Sequence, residues 1–195
     1  MRKGFLVSVL VINAFALAVL CVTNFQQAKR SGSPPMPVHG RVSDFSLLDQ
    51  DQTVITPKTL AGRPWVANFM FTRCAGACPA MGWTMKGLQG SLNSVRLVSF
   101  SVDPEKDDPA TLKKYAEGYS AVSGRWFFLT GDRKTIEEVS NSMHLGSLGE
   151  LSAHSLRLVL VDPTGGIRGY YDSEDPKAVQ KLIRDAGRLA AESSR

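Results

Sequence analysis

Hydrophobic and polar positions divide the chain into three regions. The first is an uncharged, mostly apolar run from Gly4 to Val22, preceded by Arg2 and Lys3. Its ~19 residues approach the roughly 20 a helix needs to cross hydrocarbon. Ala14-Phe15-Ala16 and Ala16-Leu17-Ala18 have the form of weak cleavage sites but lie mid-run, which favours an uncleaved anchor. Cys21 follows Leu20 where a lipoprotein would carry a small residue, so it reads as a lipid-facing thiol without a role. Ser31-Gly32-Ser33-Pro34-Pro35-Met36-Pro37 has no apolar period and cannot continue a helix, which marks a linker. The expected organisation is a cytoplasmic 1–3, a membrane anchor 4–22, a linker 23–40 and a folded domain 41–192.

From Arg41 onward, strand and helix patterns alternate. Phe45–Leu48 and Thr53–Ile55 flank the polar Asp49-Gln50-Asp51-Gln52, predicting a hairpin. Trp65 to Phe71 is continuously apolar behind Gly62-Arg63-Pro64, the pattern of a strand buried on both faces. A helix is expected to open near Pro79, since proline suits a first helical turn. Arg96–Val102 predicts the next strand. Asp108-Pro109 then caps a helix presenting Leu112, Tyr115, Ala116 and Tyr119 on one side. Trp126–Leu129 reads as a short strand, followed by a helix capped at Asp132 with Ile136, Val139 and Met143 facing inward. Leu156–Val161 and Ile167–Tyr171 flank the turn Pro163-Thr164-Gly165-Gly166. Asp175-Pro176 opens a final helix with Val179, Leu182, Ile183, Ala186 and Leu189 inward. This order predicts an α/β fold with helices on both faces of a mixed central sheet, which is a thioredoxin-like arrangement.

Composition narrows the function classes. Four of the 23 basic residues precede residue 31 and all 18 acids follow it, so residues 31–195 carry 19 basic and 18 acidic side chains. A domain so nearly neutral lacks the electrostatic footprint of a nucleic-acid binder. Arg2 and Lys3 fit a positive-inside orientation, which places the domain in the periplasm or another extracytoplasmic space. Disulfides are permitted there.

Two of the three cysteines, Cys74 and Cys78, follow the central apolar strand directly and precede Pro79. Four residues apart at a helix start, they would share one side, with Cα atoms roughly 6 Å apart. Such a pair can bridge as a disulfide, bind a soft metal, or do both in turn. Unpartnered helical N–H groups favour a thiolate there, Arg73 adds positive charge, and Gly76 removes a side chain between the sulfurs. An inert staple is the bland alternative, although so short a loop constrains the unfolded chain little. A metal needs a third ligand. His39 lies in the linker and reads as solvated, His144 suits the negative end of its helix, and His154 directly precedes a strand.

Several stretches together resemble the Sco/SenC family of membrane-tethered copper proteins. They are Phe71-Thr72-Arg73-Cys74 with Cys78-Pro79, Ser101-Val102-Asp103-Pro104-Glu105, Phe128-Leu129-Thr130-Gly131, His154-Ser155 and Asp162-Pro163-Thr164-Gly165. In order they span Val42 to Leu189. The resemblance implies a thioredoxin-like fold and copper held by Cys74, Cys78 and His154. It also implies a role in assembling the binuclear copper centre of cytochrome c oxidase. The implied partners are the oxidase subunit carrying that centre and a copper donor or thiol reductant protein. The chain departs from the family pattern at Ala75-Gly76-Ala77, where an acidic pair is common, and at Ala153, where an acid commonly precedes the histidine. Two cysteines and a histidine suit Cu(I) or Cu(II), and zinc as well. The competing class is a thiol–disulfide oxidoreductase in which Cys74 attacks and Cys78 resolves. A peroxiredoxin-like peroxidase is more distant, because Thr72-Arg73-Cys74 lacks the fuller proline and threonine context of that site.

Overall fold

The computed structural model describes residues 35–147 and 156–193. Thirteen elements follow one another within those residues. They are β1 (Gly40–Arg41), β2 (Leu47–Leu48), β3 (Val54–Ile55), α1 (Pro57–Leu60), β4 (Trp65–Met70), α2 (Cys78–Ser91), β5 (Arg96–Ser101), α3 (Pro109–Gly118), β6 (Trp126–Leu129), α4 (Arg133–Ser142), β7 (Arg157–Val161), β8 (Gly166–Asp172) and α5 (Pro176–Ser193).

The main sheet has the order β1-β8-β7-β4-β5-β6, and β2-β3 form a separate small hairpin. β4, β5 and β6 run parallel, with Trp65 opposite Arg96 and Leu97 opposite Trp126. β7 joins β4 antiparallel, Trp65 facing Val161, and β8 returns antiparallel beside it. β4 is therefore central, and all six of its residues are buried, as an apolar run without alternation requires.

The sheet has two covered faces. On one, Trp65, Ala67, Phe69, Val98, Phe100, Phe127, Leu129, Val159 and Val161 pack with Ile136, Val139 and Met143 of α4 and with Leu47, Ile55 and Leu60. Phe69 and Phe100 stack with centroids 5.1 Å apart. On the other, Phe128 and Trp126 meet the rings of Tyr115 and Tyr119. Asn68, Ser99 and Trp126 form a buried chain there: Ser99 Oγ donates to Asn68 Oδ1 at 2.6 Å and accepts from Trp126 Nε1 at 2.9 Å. Every polar atom so placed needs such a partner. Alternate residues of β6 thus face α3 and α4, so helices cover both faces, as the element order predicts.

The caps form as expected. Asp108 accepts from Thr111 N at 2.7 Å and Asp132 from Thr135 N at 2.8 Å. Asp162 organises the turn between β7 and β8. Its Oδ1 accepts from Thr164 N and Gly166 N and its Oδ2 from Arg168 Nε. The Asp-Pro-Thr-Gly stretch is therefore turn architecture rather than chemistry. β1 and α1 were not predicted. Two residues of strand and four of helix, the latter held by the reciprocal Thr56–Thr59 capping box, are too short to show a period. The predicted anchor Gly4–Val22 lies outside the described residues. Among the described residues no helix is long and apolar enough to cross a membrane.

Candidate metal centre

β4 ends at Met70, whose carbonyl accepts from Val102 N at 2.9 Å, and α2 starts at Cys78. Residues 71–77 form the loop between them, so only Cys78 is helical. The sequence argument that both cysteines share a helical face is corrected on this point. Cys74 stands before the helix, in a turn closed by Cys74 N donating to Phe71 O at 3.2 Å. The sulfurs nevertheless come together. The Cys78 thiol donates to Cys74 Sγ, and both cysteines are free rather than bridged.

The two thiols sit in opposed environments. Burial alone would raise the Cys74 pKa, but hydrogen bonds outweigh it and leave the pKa lowered. They come from the Cys78 thiol and from the backbone N–H groups of Cys78, Gly76 and Ala77. Those of Ala77 and Cys78 are among the N–H groups that an α-helix leaves unpaired at its start, and Gly76 lies just before them. The cap residue Ala77 has no side chain with which to satisfy them. Cys74 Sγ takes that role, and a thiolate fills it better than a thiol. Cys78 is pushed up to about 12, first by burial, then by its hydrogen bond to Cys74 and by the charge developing there.

Two expectations for this loop change. Arg73 pairs with Asp103, Nη2 to Oδ2 2.6 Å, and the lowering at Cys74 traces to the hydrogen bonds. A Cβ on Gly76 would lie 3.9 Å from Cys74 Sγ, an ordinary contact, so glycine is not needed there to make room.

Two residues with no chemical role in the sequence argument belong to the site. Tyr115, predicted only as core, lies near the dithiol. Burial, its hydrogen bond with Tyr119 and the charges of Cys78 and Cys74 push its hydroxyl above the ordinary tyrosine range. Tyr119 Oη donates to Tyr115 Oη at 3.4 Å, and Tyr119 also meets the exposed ring of Trp83 at 5.4 Å. Asp107 is fully buried and accepts from Thr72 N at 3.0 Å, Thr72 Oγ1 at 2.6 Å and Ser101 Oγ at 2.6 Å. In the sequence it is one acid of a polar run, and only its burial distinguishes it.

Among the described residues no group of three or more His, Cys, Asp or Glu gathers as a metal site. His144 is exposed at the end of α4 with φ 55°, the left-handed position that commonly closes a helix. His39 is exposed as expected, but its N–H donates to Ile167 O at 2.8 Å, next to β1. Neither joins the cysteines. His154 and Cys21 lie outside the described residues. The described part of the site is thus a soft two-sulfur donor set, one sulfur primed as thiolate and the other held as thiol. It can bind a soft cation or exchange disulfides.

Residues 37–189 match the SCO1/SenC family. The SCO1 protein homolog of Bacillus subtilis (strain 168) is 34% identical over 176 residues, covering 85% of this chain and 88% of the relative. A Stutzerimonas stutzeri protein named for copper binding is 31% identical over 147 residues, 69% of this chain and 71% of its own. The solved structure of BsSco superposes with a TM-score of 0.72 at 31% identity, over 80% of this chain and 98% of that one. It is described as a member of the Sco family of cytochrome c oxidase assembly proteins, with a disulfide switch. A mixed sheet that delivers a dithiol from its central strand, matched over nearly the whole described chain, places this protein in the SCO1/SenC family.

Proposed function

We propose that this protein is a membrane-anchored copper carrier. It binds copper through Cys74, Cys78 and His154 and helps assemble the binuclear copper centre of cytochrome c oxidase. The observation that carries this reading is the paired sulfurs at the start of α2, with Cys74 lowered by helix N–H donors and Cys78 within hydrogen-bond reach. Thiolates are soft ligands and favour Cu(I). The copper-binding name of one relative and the oxidase-assembly description of BsSco support the same cargo and role. Binding copper requires Cys78 to give up its proton, so uptake releases protons and strengthens with pH. His154 would supply the third ligand. The run Gly4–Val22 would tether the domain to the inner membrane, with the site on the extracytoplasmic side. The copper-site subunit of the oxidase would receive the metal, and a donor protein would supply it.

One observation favours a second reading. A lowered thiol beside one raised to about 12 also suits a thiol–disulfide oxidoreductase in which Cys74 attacks and Cys78 resolves. His154→Ala separates the two. A carrier loses copper affinity by at least the ~10–100-fold known for outer-shell changes. It also loses oxidase assembly at limiting copper, with partial rescue by added copper. A reductase keeps disulfide exchange in that variant and loses it in Cys74→Ser and Cys78→Ser. Wild-type oxidase activity in the His154→Ala strain at limiting copper would overturn the carrier reading.

A further inference from the structure

Thr72 and Arg73, the two residues before Cys74, are each gripped by a carboxylate from the segment between β5 and α3. Arg73 pairs with Asp103 at the surface, with side chains 62% and 25% exposed. An ion pair so open to water contributes little. Asp107 is different. It is fully buried, and among the described residues no cation pairs with it. Three donors converge on its two oxygens: Thr72 N and Ser101 Oγ on Oδ2, and Thr72 Oγ1 on Oδ1. Ser101 Oγ also accepts from Asp103 N at 3.1 Å, which ties the two grips together.

A buried carboxylate is costly unless hydrogen bonds replace its water, and a neutral side chain could fill the same space more cheaply. What the carboxylate adds is acceptor capacity on both oxygens. An asparagine has one acceptor oxygen and would turn two N–H donors toward groups that already donate. Two of the three donors, both on Thr72, lie 35 residues from it along the chain, in the loop that carries Cys74. We propose that Asp107 is the positioning residue of the dithiol loop. By holding Thr72 through both its backbone N–H and its hydroxyl, it sets where Cys74 Sγ stands relative to the first N–H groups of α2 and to the Cys78 thiol. The inference rests on reading Cys74 and Cys78 as the working pair, whether for metal or for disulfide exchange.

The test uses the full-length protein in detergent, as wild type, Asp107→Asn, Thr72→Val, Thr72→Ser and the core variant Ile136→Val on α4. Three quantities are measured: thermal unfolding, the dithiol–disulfide equilibrium constant against glutathione, and Cu(I) affinity by competition with a chromophoric chelator. Asp107→Asn and Thr72→Val should move the glutathione equilibrium about tenfold or more and weaken Cu(I) binding by about 10–100-fold, the range for lost outer-shell support. Thr72→Ser keeps both donors and should match wild type. Ile136→Val should lower the unfolding temperature and leave both site measurements alone. Should Asp107→Asn fail to fold, Thr72→Val, which removes one donor, decides. The glutathione measurement does not involve copper, so it decides even if the wild type takes up no Cu(I). Loss of thermal stability in Asp107→Asn and Thr72→Val, with the glutathione equilibrium and any Cu(I) affinity within twofold of wild type, would overturn the proposal.

Discussion

Iodoacetamide should alkylate Cys74 and spare Cys78. Cys78 is pushed up to about 12, whereas Cys74 lies below the ordinary thiol value of 9.0. Three units or more separate them, so near neutral pH the thiolate on Cys74 outnumbers that on Cys78 by at least about a thousandfold. Part of this advantage is returned, because a less basic thiolate is a weaker nucleophile. With a Brønsted slope of 0.4–0.5, three units cost Cys74 roughly twentyfold, leaving at least about fiftyfold in its favour. Burial adds to the margin, since Cys78 is only 9% exposed. Both cysteines fall in one tryptic peptide, Cys74 to Lys86, so fragment ions must assign the first label. Brief labelling of reduced protein at pH 7.5 should put nearly all single modification on Cys74. The rate should rise with pH with its midpoint below 9. In guanidinium, where α2 no longer offers its N–H groups, the two sites should react at similar rates. A native protein that carries a third or more of its first label on Cys78, or a Cys74 rate profile with its midpoint at or above pH 9, would refute the capping argument.

Two further outcomes follow from the same helix. Gly82→Ala would place a Cβ 2.4–2.7 Å from the Tyr119 ring, and overpacking at about 1–3 kcal/mol should outweigh the helix-propensity gain of about 1 kcal/mol. Gly87→Ala and Gly90→Ala meet nothing within 4 Å and should each stabilise by about 0.5–1 kcal/mol; thermal melts showing the same sign at all three positions would contradict the packing. The raised Cys78 gives a linked pH effect: its contribution to stability is intact below the unfolded thiol pKa and is lost as pH rises toward about 12. Denaturant titrations should therefore show stability falling above about pH 9, at up to ~1.4 kcal/mol per unit. Cys78→Ala should flatten that limb, and an unchanged slope would count against the buried thiol.

The long elements were legible because their patterns are unambiguous. Six consecutive buried residues in β4 cannot be an exposed strand, and Asp108 and Asp132 announce the helices they cap. The dithiol was visible as spacing, but its geometry was not. Pro79 marked the helix start correctly to within a residue, yet nothing in Phe71–Ala77 says that the chain turns before α2 rather than within it. Asp107 was illegible for a related reason. In Asp103-Pro104-Glu105-Lys106-Asp107-Asp108 the acids look alike, and the neighbours that separate them come from elsewhere in the chain. Asp108 caps α3, Asp103 takes Arg73, and Asp107 turns inward to Thr72 and Ser101.

The structure also gives meaning to the three residues between the cysteines. Between the cysteines this chain has Ala75-Gly76-Ala77, which offers no side-chain acceptor that could compete for the first N–H groups of α2. A carboxylate there would cap the helix and leave Cys74 with fewer donors. With alanine at the cap, three backbone donors reach the sulfur and hold its pKa down despite its burial. The capping role therefore falls to the reactive group. It also makes the helix start sensitive to the state of Cys74. A thiolate caps α2, whereas a disulfide sulfur, carrying no charge, accepts those hydrogen bonds weakly. Oxidation should then loosen the first turn of α2, and hydrogen exchange at Gly76, Ala77 and Cys78 should be faster in the disulfide form than in the dithiol form.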